Sequence, residues 1–206
     1  RTVVVTYLKP QLGSATNEAP VQSAATSTTR SGSSDTGVQS TGLTASYLID
    51  GEVPTGAMVA LIPADPHSCC VEGGEQPEAL HITSKYLGKA VDWDDEQRHA
   101  IHEQVEALAA TTPPIEMKCA TCEMFGEDDD ALALEFDSPA ASALHRIVHG
   151  LTPDVELKWP EYRPHLTLGY QREDTKLPSP KTHCEEWIGK SLVCDKIRVA
   201  FGPDVT

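Results

Sequence analysis

The order of the predicted elements, β-β-α-β-β-α-β-β, is typical of an α+β fold made of two similar halves. The first supporting observation is a short motif, apolar-His-apolar-Thr, that occurs within residues 80–88 and again within residues 163–170. Both segments are rich in β-forming residues and are bounded by Gly or Pro, which is typical of strands. The second observation is a pair of helical patterns, one after the first motif and one before the second. Each half of the chain is therefore predicted to contribute one motif-bearing strand and one helix.

The first half is predicted to contain two strands and a helix. Residues 57–62 form an apolar run ended by Pro63, and the loop over residues 64–79 has room for a helical turn before the motif strand. A helix is predicted from about residue 96 to residue 110, because a capping Asp precedes it, prolines follow it and apolar residues recur at helical spacing. The residues concerned are Asp94 or Asp95 for the cap, Pro113 and Pro114 at the end, and Ile101, Val105 and Leu108 for the buried stripe.

The second half is predicted to repeat this pattern. Its elements are strands over residues 115–124, 131–136 and 192–201 and a helix that is capped by Ser138, continues to about His149 and ends at Gly150. The acidic segment 126–130 joins the first two of these strands. It lacks the alternating ligand spacing of a calcium loop, so we interpret it as a solvated hairpin turn.

The two motifs are predicted to present matching polar faces. In a strand, residues i and i+2 point to the same side, so His81 and Thr83 share one face, and His165 and Thr167 share another. The flanking apolar residues point the opposite way. If the fold brings the two strands together, two imidazoles and two hydroxyls form a polar patch on an apolar floor, and that patch could hold a phosphate.

The N-terminal quarter of the chain has a different composition. Residues 1–50 are predicted to be a low-complexity extended arm or linker, since most of them are Ser, Thr, Ala, Gly, Gln and Asn and cannot bury enough apolar surface to offset their ordering entropy. Residues 2–8 are the exception and form a strand candidate with no neighbouring partner. The compact domain is predicted over residues 51–206. A neighbouring subunit of a protein assembly is a candidate partner for the arm.

The net charge of −15 is concentrated in the predicted domain. Residues 1–50 contain three basic and three acidic side chains, which leaves 13 basic and 28 acidic side chains in residues 51–206. A field of that sign disfavours binding of duplex or long single-stranded nucleic acid, so a phosphate-bearing substrate is expected to be small or bound by its end. No apolar run reaches the length of a membrane span, and no signal peptide is visible, so no membrane partner is expected.

Cysteines and the remaining histidines give weaker signals for a metal site. The chain has six cysteines, and Cys119 and Cys122 have the spacing of a zinc knuckle, but a second such pair is missing. Two histidine pairs at helical spacing, His99 with His102 and His145 with His149, also lack a third ligand and are interpreted as helix surface. We therefore predict ordinary thiols, no metal and no cofactor.

With both motifs in view, the sequence resembles the two-histidine (2H) phosphoesterase superfamily, also called 2′-5′ RNA ligase-like or cyclic phosphodiesterase proteins. Its signature is a pair of such strands about 80 residues apart, and the segments 58–63 and 197–202 resemble the edge strands of bacterial and phage members. The resemblance covers residues 55–203. It implies a bilobal, pseudo-symmetric fold with two antiparallel sheets facing a central cleft and helices outside. Ser84 departs from the family, which usually has an apolar residue there, but this position faces away from the predicted site.

The resemblance implies a metal-independent phosphodiesterase with His81 and His165 as catalytic residues. Two imidazoles with pKa values near neutrality can act as general base and general acid in opening a 2′,3′-cyclic phosphate or hydrolysing another phosphodiester. Thr83 and Thr167 can donate hydrogen bonds to the non-bridging phosphate oxygens. Which histidine is the base stays open, as does the direction of the reaction.

Further substrate-binding residues are predicted from their position beside the motifs. Lys85 continues the face of His81, and Arg163 precedes His165, so either cation could neutralise a phosphate. Tyr170 is a candidate ring for stacking on a nucleobase, as is Tyr162, whereas Tyr86 has the opposite parity and is predicted to lie in the core.

Two classes of function follow. The first is a phosphodiesterase acting on RNA ends with cyclic phosphate, on 2′-5′ linkages, or on small cyclic or oligomeric nucleotides. The second is a structural or assembly-bound protein, for example a phage-particle component, that is anchored through residues 1–50. A cytoplasmic location is expected, or a virion-associated one if the protein is encoded by a phage.

Overall fold

The computed structural model describes the backbone of residues 4–7 and, with side chains, residues 56–125, 130–157, 161–171, 177–179 and 186–202. Within these ranges the chain forms an α+β fold, as predicted. The strands are β1 (Val4–Tyr7), β2 (Gly56–Pro63), β3 (Ile82–Lys89), β4 (Ile115–Phe125), β5 (Ala131–Asp137), β6 (His165–Tyr170) and β7 (Ser191–Phe201), and the α-helices are α1 (Asp95–Thr111) and α2 (Pro139–Leu151). The predicted helical turn before the first motif is a 3-10 turn at Pro66–Cys69.

All strand pairs are antiparallel, and the strand order is β1-β7-β2-β3-β6-β5-β4. Strands β1, β7, β2 and β3 lie in one half of this order, and β6, β5 and β4 lie in the other, so the strand over residues 192–201, predicted as part of the second half, pairs with β2 of the first half instead. The halves are hydrogen-bonded to each other at two places. One is the pair Ile82 and Leu166 between β3 and β6, and the other is the start of β4 against the start of β7. The two predicted sheets are thus joined into one curved, seven-stranded set.

Each helix is capped by a residue that the sequence predicts, and α1 is one residue longer at each end than predicted. Asp94 caps α1, accepting a hydrogen bond from the backbone of Gln97, whose side chain in turn accepts one from the Asp94 backbone. This reciprocal pair satisfies two amide donors that would otherwise lack partners at the helix start. Ser138 caps α2 in the same way through the backbone N–H of Ala141. Gly150 is still helical, so α2 ends one residue later than predicted, at Leu151.

The core lies between the strands and the apolar faces of both helices. Ile101 and Val105 of α1, with Leu144 and Val148 of α2, belong to one cluster with the inward side chains of the strands. The fully buried strand residues include Leu61, Ile82, Leu134, Leu166 and Ile197. Burial of each such side chain contributes about 1.5–3 kcal/mol. Two of them, Ile82 and Leu166, are the central residues of the two motifs, so the core fixes the positions of the polar residues beside them.

The strand predicted near the N-terminus is confirmed at Val4–Tyr7. Its partner is the segment Lys196–Val199 of β7, so residues nearly two hundred positions apart in sequence form the edge of the sheet. The other residues of the predicted arm lie outside the described ranges, as does most of the acidic turn 126–130. No helix in the described ranges is long and apolar enough to cross a membrane.

Candidate functional site

The two motifs meet where β3 lies beside β6. His81 directly precedes β3, and His165 is the first residue of β6. Because the strands are antiparallel and Ile82 pairs with Leu166, His81 lies alongside Thr167, and Thr83 lies alongside His165. All four side chains leave the same face, opposite the buried Ile82 and Leu166. The structure therefore brings together the four polar residues that the sequence predicts.

Both imidazoles are oriented by the same hydrogen bond. Nδ1 of His81 lies 2.6 Å from the carbonyl oxygen of Ala79, and Nδ1 of His165 lies 2.8 Å from the carbonyl oxygen of Arg163. A carbonyl oxygen only accepts, so Nδ1 carries the hydrogen in each ring. In the neutral ring Nε2 then holds the free lone pair and is the atom that can take a proton.

A cleft of about 830 Å³ opens over this face of the fold. Thr83, His165 and Thr167 line it, together with a wall of aromatic rings and several charged groups. The volume is in the range of small-molecule sites and is large enough for a nucleotide. The other lining residues are Ser84, Lys85, Tyr86, Phe125, Asp130, Ala131, His145, Leu157, Glu161, Tyr162, Arg163 and Tyr170.

His81 lies in a setting that disfavours its charged form. Burial is the largest cause that lowers its pKa, and the positive charges of Arg198 and of a protonated His165 lower it further, against the opposing effect of the Ala79 carbonyl. The contribution of His165 indicates that the two rings lie close to each other.

Arg198 lies beside the motif residues and was not among the predicted site residues. It is only 6% exposed, and its Nη1 donates a hydrogen bond of 3.1 Å to the carbonyl oxygen of Glu78, just upstream of His81. In the sheet, Ala60 pairs with Thr83 on one side and with Arg198 on the other, so Arg198 shares the face of the motif. The available signal was an arginine within the otherwise apolar segment 197–201 of β7.

Arg163 does not present a free cation to the cleft, contrary to the prediction. Its Nε donates to Glu135 (2.8 Å), and its Nη2 donates both to Glu135 and to Glu123 (2.9 Å). The guanidinium carbon also lies 4.7 Å from the centre of the Phe125 ring. These contacts raise the pKa of Arg163, and the hydrogen bond from Arg163 is the largest cause that lowers the pKa of Glu135. Two carboxylates therefore already neutralise this arginine.

Lys85 also differs from its prediction. The residue is only 2% exposed, and its Nζ is turned toward the C-terminal end of α2. There it donates to the carbonyl oxygens of Thr152 (2.8 Å) and Val155 (2.9 Å), to the Thr152 hydroxyl (2.9 Å) and toward Nδ1 of His149 (2.9 Å). Carbonyl groups at a helix end attract cations, and four partners leave the ammonium no donor for a phosphate. Burial lowers the pKa of Lys85.

The tyrosines lie around the cleft, and one of them contradicts the sequence analysis. Tyr170 lines the cleft, as predicted for a stacking ring. Tyr86 was predicted to be a core residue, but it is 41% exposed and lines the cleft as well. The reason is an irregularity in the register of β2 against β3 between Val59 and Ala60, where Ser84 is left without a partner and the strict alternation of faces fails before Tyr86 is reached.

The histidines of α2 are not surface residues as predicted. His145 donates from Nδ1 to the carbonyl oxygen of Ser84 (2.6 Å), and its ring stacks on Tyr162 with a centroid separation of 4.2 Å. Ser84 itself is 1% exposed and is among the residues that line the cleft, although the sequence predicts that it faces away from the site. His149 contacts Lys85 as described above. One end of the cleft is therefore built by α2 and the segment after it.

The loop before His81 is packed directly onto β6. The backbone N–H of Glu75 donates to the carbonyl oxygen of Leu168 over 2.7 Å, and a Cβ atom at Gly74 would lie 2.3 Å from that same oxygen. A Cβ at Gly169 would lie 2.8 Å from the Cα of Gly74. Only glycine allows backbones to approach this closely. This contact fixes the first motif relative to the second.

Among the described residues, no group of three His, Cys, Asp or Glu side chains is placed to hold a metal ion. Cys119 is buried and Cys122 is partly buried on β4. Neither lies among the residues that line the cleft.

Comparison with known proteins gives a family and two related structures. A family model described as the 2′-5′ RNA ligase superfamily matches residues 74–200, which is more than half of the chain. The crystal structure of E. coli LigT in apo form is similar with a TM-score of 0.48 and 16% identity, covering 72% of this chain and 87% of that chain. For the crystal structure of E. coli LigT complexed with 3′-AMP, the TM-score is 0.46, the identity 14% and the coverage 71% and 86%. No curated protein matches the chain by sequence.

Proposed function

This chain belongs to the 2′-5′ RNA ligase superfamily, and from that membership we propose that it is a metal-independent phosphodiesterase acting on 2′,3′-cyclic phosphate ends of RNA, on 2′-5′ linkages, or on small cyclic or oligomeric nucleotides. The membership confirms the resemblance to two-histidine phosphoesterases drawn from the motifs. One observation carries the proposal further than the family does. The pairing of Ile82 with Leu166 supports it, because this register sets the two His–Thr pairs side by side, and Thr83, His165 and Thr167 line the cleft, although His81 is not among the lining residues.

The proposed reaction needs one neutral and one protonated imidazole. The neutral histidine takes a proton from water through Nε2 while the water oxygen bonds to phosphorus. The protonated histidine gives its Nε2 proton to the departing ribose oxygen as the bond from phosphorus to that oxygen breaks. Atoms and charge balance, and His81 and His165 exchange protonation states in the step. The same pair can run the reaction in reverse with the roles exchanged.

Thr83 and Thr167 are proposed to hold the phosphate between the histidines. Each hydroxyl lies alongside the histidine of the other strand, so a phosphorus centre between the rings would have a donor on either side. Negative charge on the non-bridging oxygens shifts during the attack, and donors already in place stabilise the transition state without rearrangement.

The charges around the cleft favour a small substrate with one phosphodiester. The described lining contains two cations, Lys85 and Arg163, and both are engaged by protein groups. It also contains the carboxylates of Asp130 and Glu161. Extra phosphates would meet these carboxylates and gain little from the engaged cations, whereas a single monoanionic group can be bound by the threonines and a protonated histidine. Tyr86 and Tyr170 offer ring faces for the attached base.

Cleavage assays with variants of the two histidines test the proposal. The substrates are nucleoside 2′,3′-cyclic phosphates, a 2′-5′-linked dinucleotide and an oligoribonucleotide with a cyclic phosphate end, with and without a metal chelator. The wild type is expected to cleave at least one of them at a rate that the chelator does not change. His81→Ala and His165→Ala are each expected to lower kcat by about 10²- to 10⁴-fold.

The matched control is His99→Ala, because His99 is an exposed histidine of α1 whose side chain contacts Glu103 on the same helix. This variant should retain the wild-type rate. Absence of cleavage across the substrate panel, or full activity in either cleft variant, would contradict the proposal.

A further inference from the structure

We propose that Glu135 and Arg163 are positioning residues for His165. In this proposal the Arg163 guanidinium fixes the backbone carbonyl group that orients the imidazole, and it does not bind the substrate phosphate. The inference rests on the proposed function, because it takes His165 to be catalytic. Three contacts connect the Glu135 carboxylate to the His165 imidazole.

The first contact joins the ring to the arginine backbone. Nδ1 of His165 donates to the carbonyl oxygen of Arg163 over 2.8 Å. The direction of Nε2 therefore depends on where the Arg163 peptide group lies. Arg163 precedes β6 and is followed by Pro164, so its own N–H and carbonyl are not part of the regular β6 ladder. The backbone N–H of Phe136 on β5 donates to the carbonyl oxygen of Pro164 over 2.8 Å, so the sheet holds the residue after Arg163, and the Arg163 side chain can supply a further anchor.

The second contact supplies that support. Glu135 binds the Arg163 side chain through both carboxylate oxygens, one from Nε at 2.8 Å and one from Nη2, and Glu123 adds a bond to Nη2 at 2.9 Å. A two-pronged bond of this kind fixes orientation as well as distance. Glu135 lies in β5 directly across from His165, so the carboxylate is anchored to the regular part of the sheet. The Thr121 hydroxyl also donates to Glu135, over 3.3 Å.

The third contact is a shared aromatic ring. Phe125, the last residue of β4, stacks on His165 with a centroid separation of 4.9 Å and an angle of 19° between the planes. The Arg163 guanidinium carbon lies 4.7 Å from the centre of the same ring. The arginine and the imidazole are thus both packed on Phe125, and displacement of one disturbs the surface on which the other rests.

A purely structural role for these charges is a weaker explanation. The side chains of Arg163 and Glu123 are 46% and 48% exposed, and an ion pair at such exposure contributes little to stability. Glu135 is only 19% exposed, so its pair with Arg163 can stabilise the fold as well as orient His165, and the kinetic measurements below separate the two effects. A role as phosphate ligand would require a phosphate to compete with two carboxylates already in place. A positioning role requires neither a large contribution to stability nor a phosphate that displaces the carboxylates, because it uses the contacts already present.

Kinetic measurements on Glu135→Ala, Arg163→Ala and the double variant distinguish these roles. Positioning predicts that each single variant lowers kcat by roughly 10-fold with KM within a factor of about two, because a ring displaced by a fraction of an ångström transfers protons poorly. The double variant should be no slower than the slower single variant, since both act through one contact chain. Glu135→Gln, which retains one oxygen for Arg163, should fall between Glu135→Ala and the wild type.

The opposite pattern would overturn the proposal. If Arg163 binds the phosphate, Arg163→Ala raises KM, and Glu135→Ala frees the guanidinium and lowers KM. Unchanged kcat in both single variants would overturn it as well. Asp137→Asn is the matched control, because Asp137 is an exposed carboxylate two residues further along β5, and it should leave both constants unchanged.

A spectroscopic measurement separates this inference from the proposed function. Nitrogen NMR of the His165 ring should show hydrogen on Nδ1 in the wild type and a mixture of tautomers in Glu135→Ala. The charged groups that face this ring are Glu135 on β5, Glu123 on β4, Arg163 before β6 and His81 beside β3, and Glu135→Ala removes one of them. If no diester is cleaved but the tautomer changes, the proposed function fails and positioning stands. If diesters are cleaved and the tautomer is unchanged, positioning fails alone.

Discussion

In the half of the fold that contains His81, the histidine follows a loop that is packed by its backbone onto β6, whereas in the half that contains His165 it follows an arginine held by two carboxylates. The orienting hydrogen bond is the same in both halves, from Nδ1 to the carbonyl oxygen two residues upstream. What fixes that carbonyl differs. The first half depends on close approach of Gly74 to Leu168, and the second depends on the pairing of Arg163 with Glu135.

The charged groups beside the two rings differ. A buried arginine, Arg198, acts on His81 and lowers its pKa, whereas the carboxylate of Glu135 lies across the strand from His165. The two motifs thus share the geometry of the orienting hydrogen bond but differ in their surroundings. The two histidines are therefore not equivalent, and perturbations of the two halves should have different signatures.

The largest effect is expected from adding one methyl group in the first half. In Gly74→Ala, the new Cβ would lie 2.3 Å from the carbonyl oxygen of Leu168 and 2.5 Å from a methyl group of Val71, so the backbone has to move. Overpacking of this kind costs about 1–3 kcal/mol in the free energy of unfolding. Because the displaced loop leads into His81, we also expect kcat to fall by about 10- to 100-fold. Denaturant unfolding and the cleavage assay measure the two effects.

Gly150→Ala is the control for that variant. Gly150 lies in α2, and a Cβ there would meet no atom within 4 Å. Alanine should stabilise the helix by about 0.5–1 kcal/mol without changing kcat. If Gly74→Ala were as well tolerated as Gly150→Ala, the backbone contact would not be what holds the first half.

The next prediction tests whether Lys85, the cation beside the first motif, stabilises the fold or binds the phosphate. In Lys85→Met, the carbonyl oxygens of Thr152 and Val155 lose a charged donor in a buried place, so we expect a loss of about 1–3 kcal/mol in the free energy of unfolding. KM for the substrate should change little, because the ammonium faces α2. Denaturant unfolding, with the exposed Lys118→Met as control, measures the loss. Unchanged stability together with a large rise in KM would show that Lys85 reaches the phosphate after all.

Local sequence signals were sufficient for the elements and for the four motif residues. The capping residues Asp94 and Ser138 and the alternation of apolar residues predict element type, because these signals act over a few neighbouring positions. The motif residues were found because the same four-residue pattern occurs twice on predicted strands. Their juxtaposition followed from the family, and the register of Ile82 with Leu166 gives it a physical basis.

The contacts of the residues that surround the four motif residues were not predictable in this way. Lys85 and Arg163 were assigned to the phosphate because parity places them beside the motifs, but their partners come from α2, β4 and β5, far away in sequence. Tyr86 was assigned to the core because a regular strand was assumed, and a register irregularity exposes it. Arg198 was overlooked because its closeness to His81 depends on two successive strand pairings. Each error concerns a contact that only the folded chain specifies.

The smallest effect, and the one that assigns the proton-transfer roles, is expected from Arg198→Gln. Removing the positive charge takes away one cause of the lowered pKa of His81, while burial, the larger cause, remains, so the pKa should rise modestly toward its ordinary value. If His81 is the base, it must be neutral, activity is lost as the pH falls below its pKa, and the acidic limb of the kcat/KM profile moves to higher pH. If His81 is the acid, it must be protonated, and the basic limb moves to higher pH instead. Arg146→Gln, an exposed charge on α2, should move neither limb. A profile unchanged in Arg198→Gln would mean that this cation does not influence the first histidine, and the electrostatic contrast between the two halves would lose its main support.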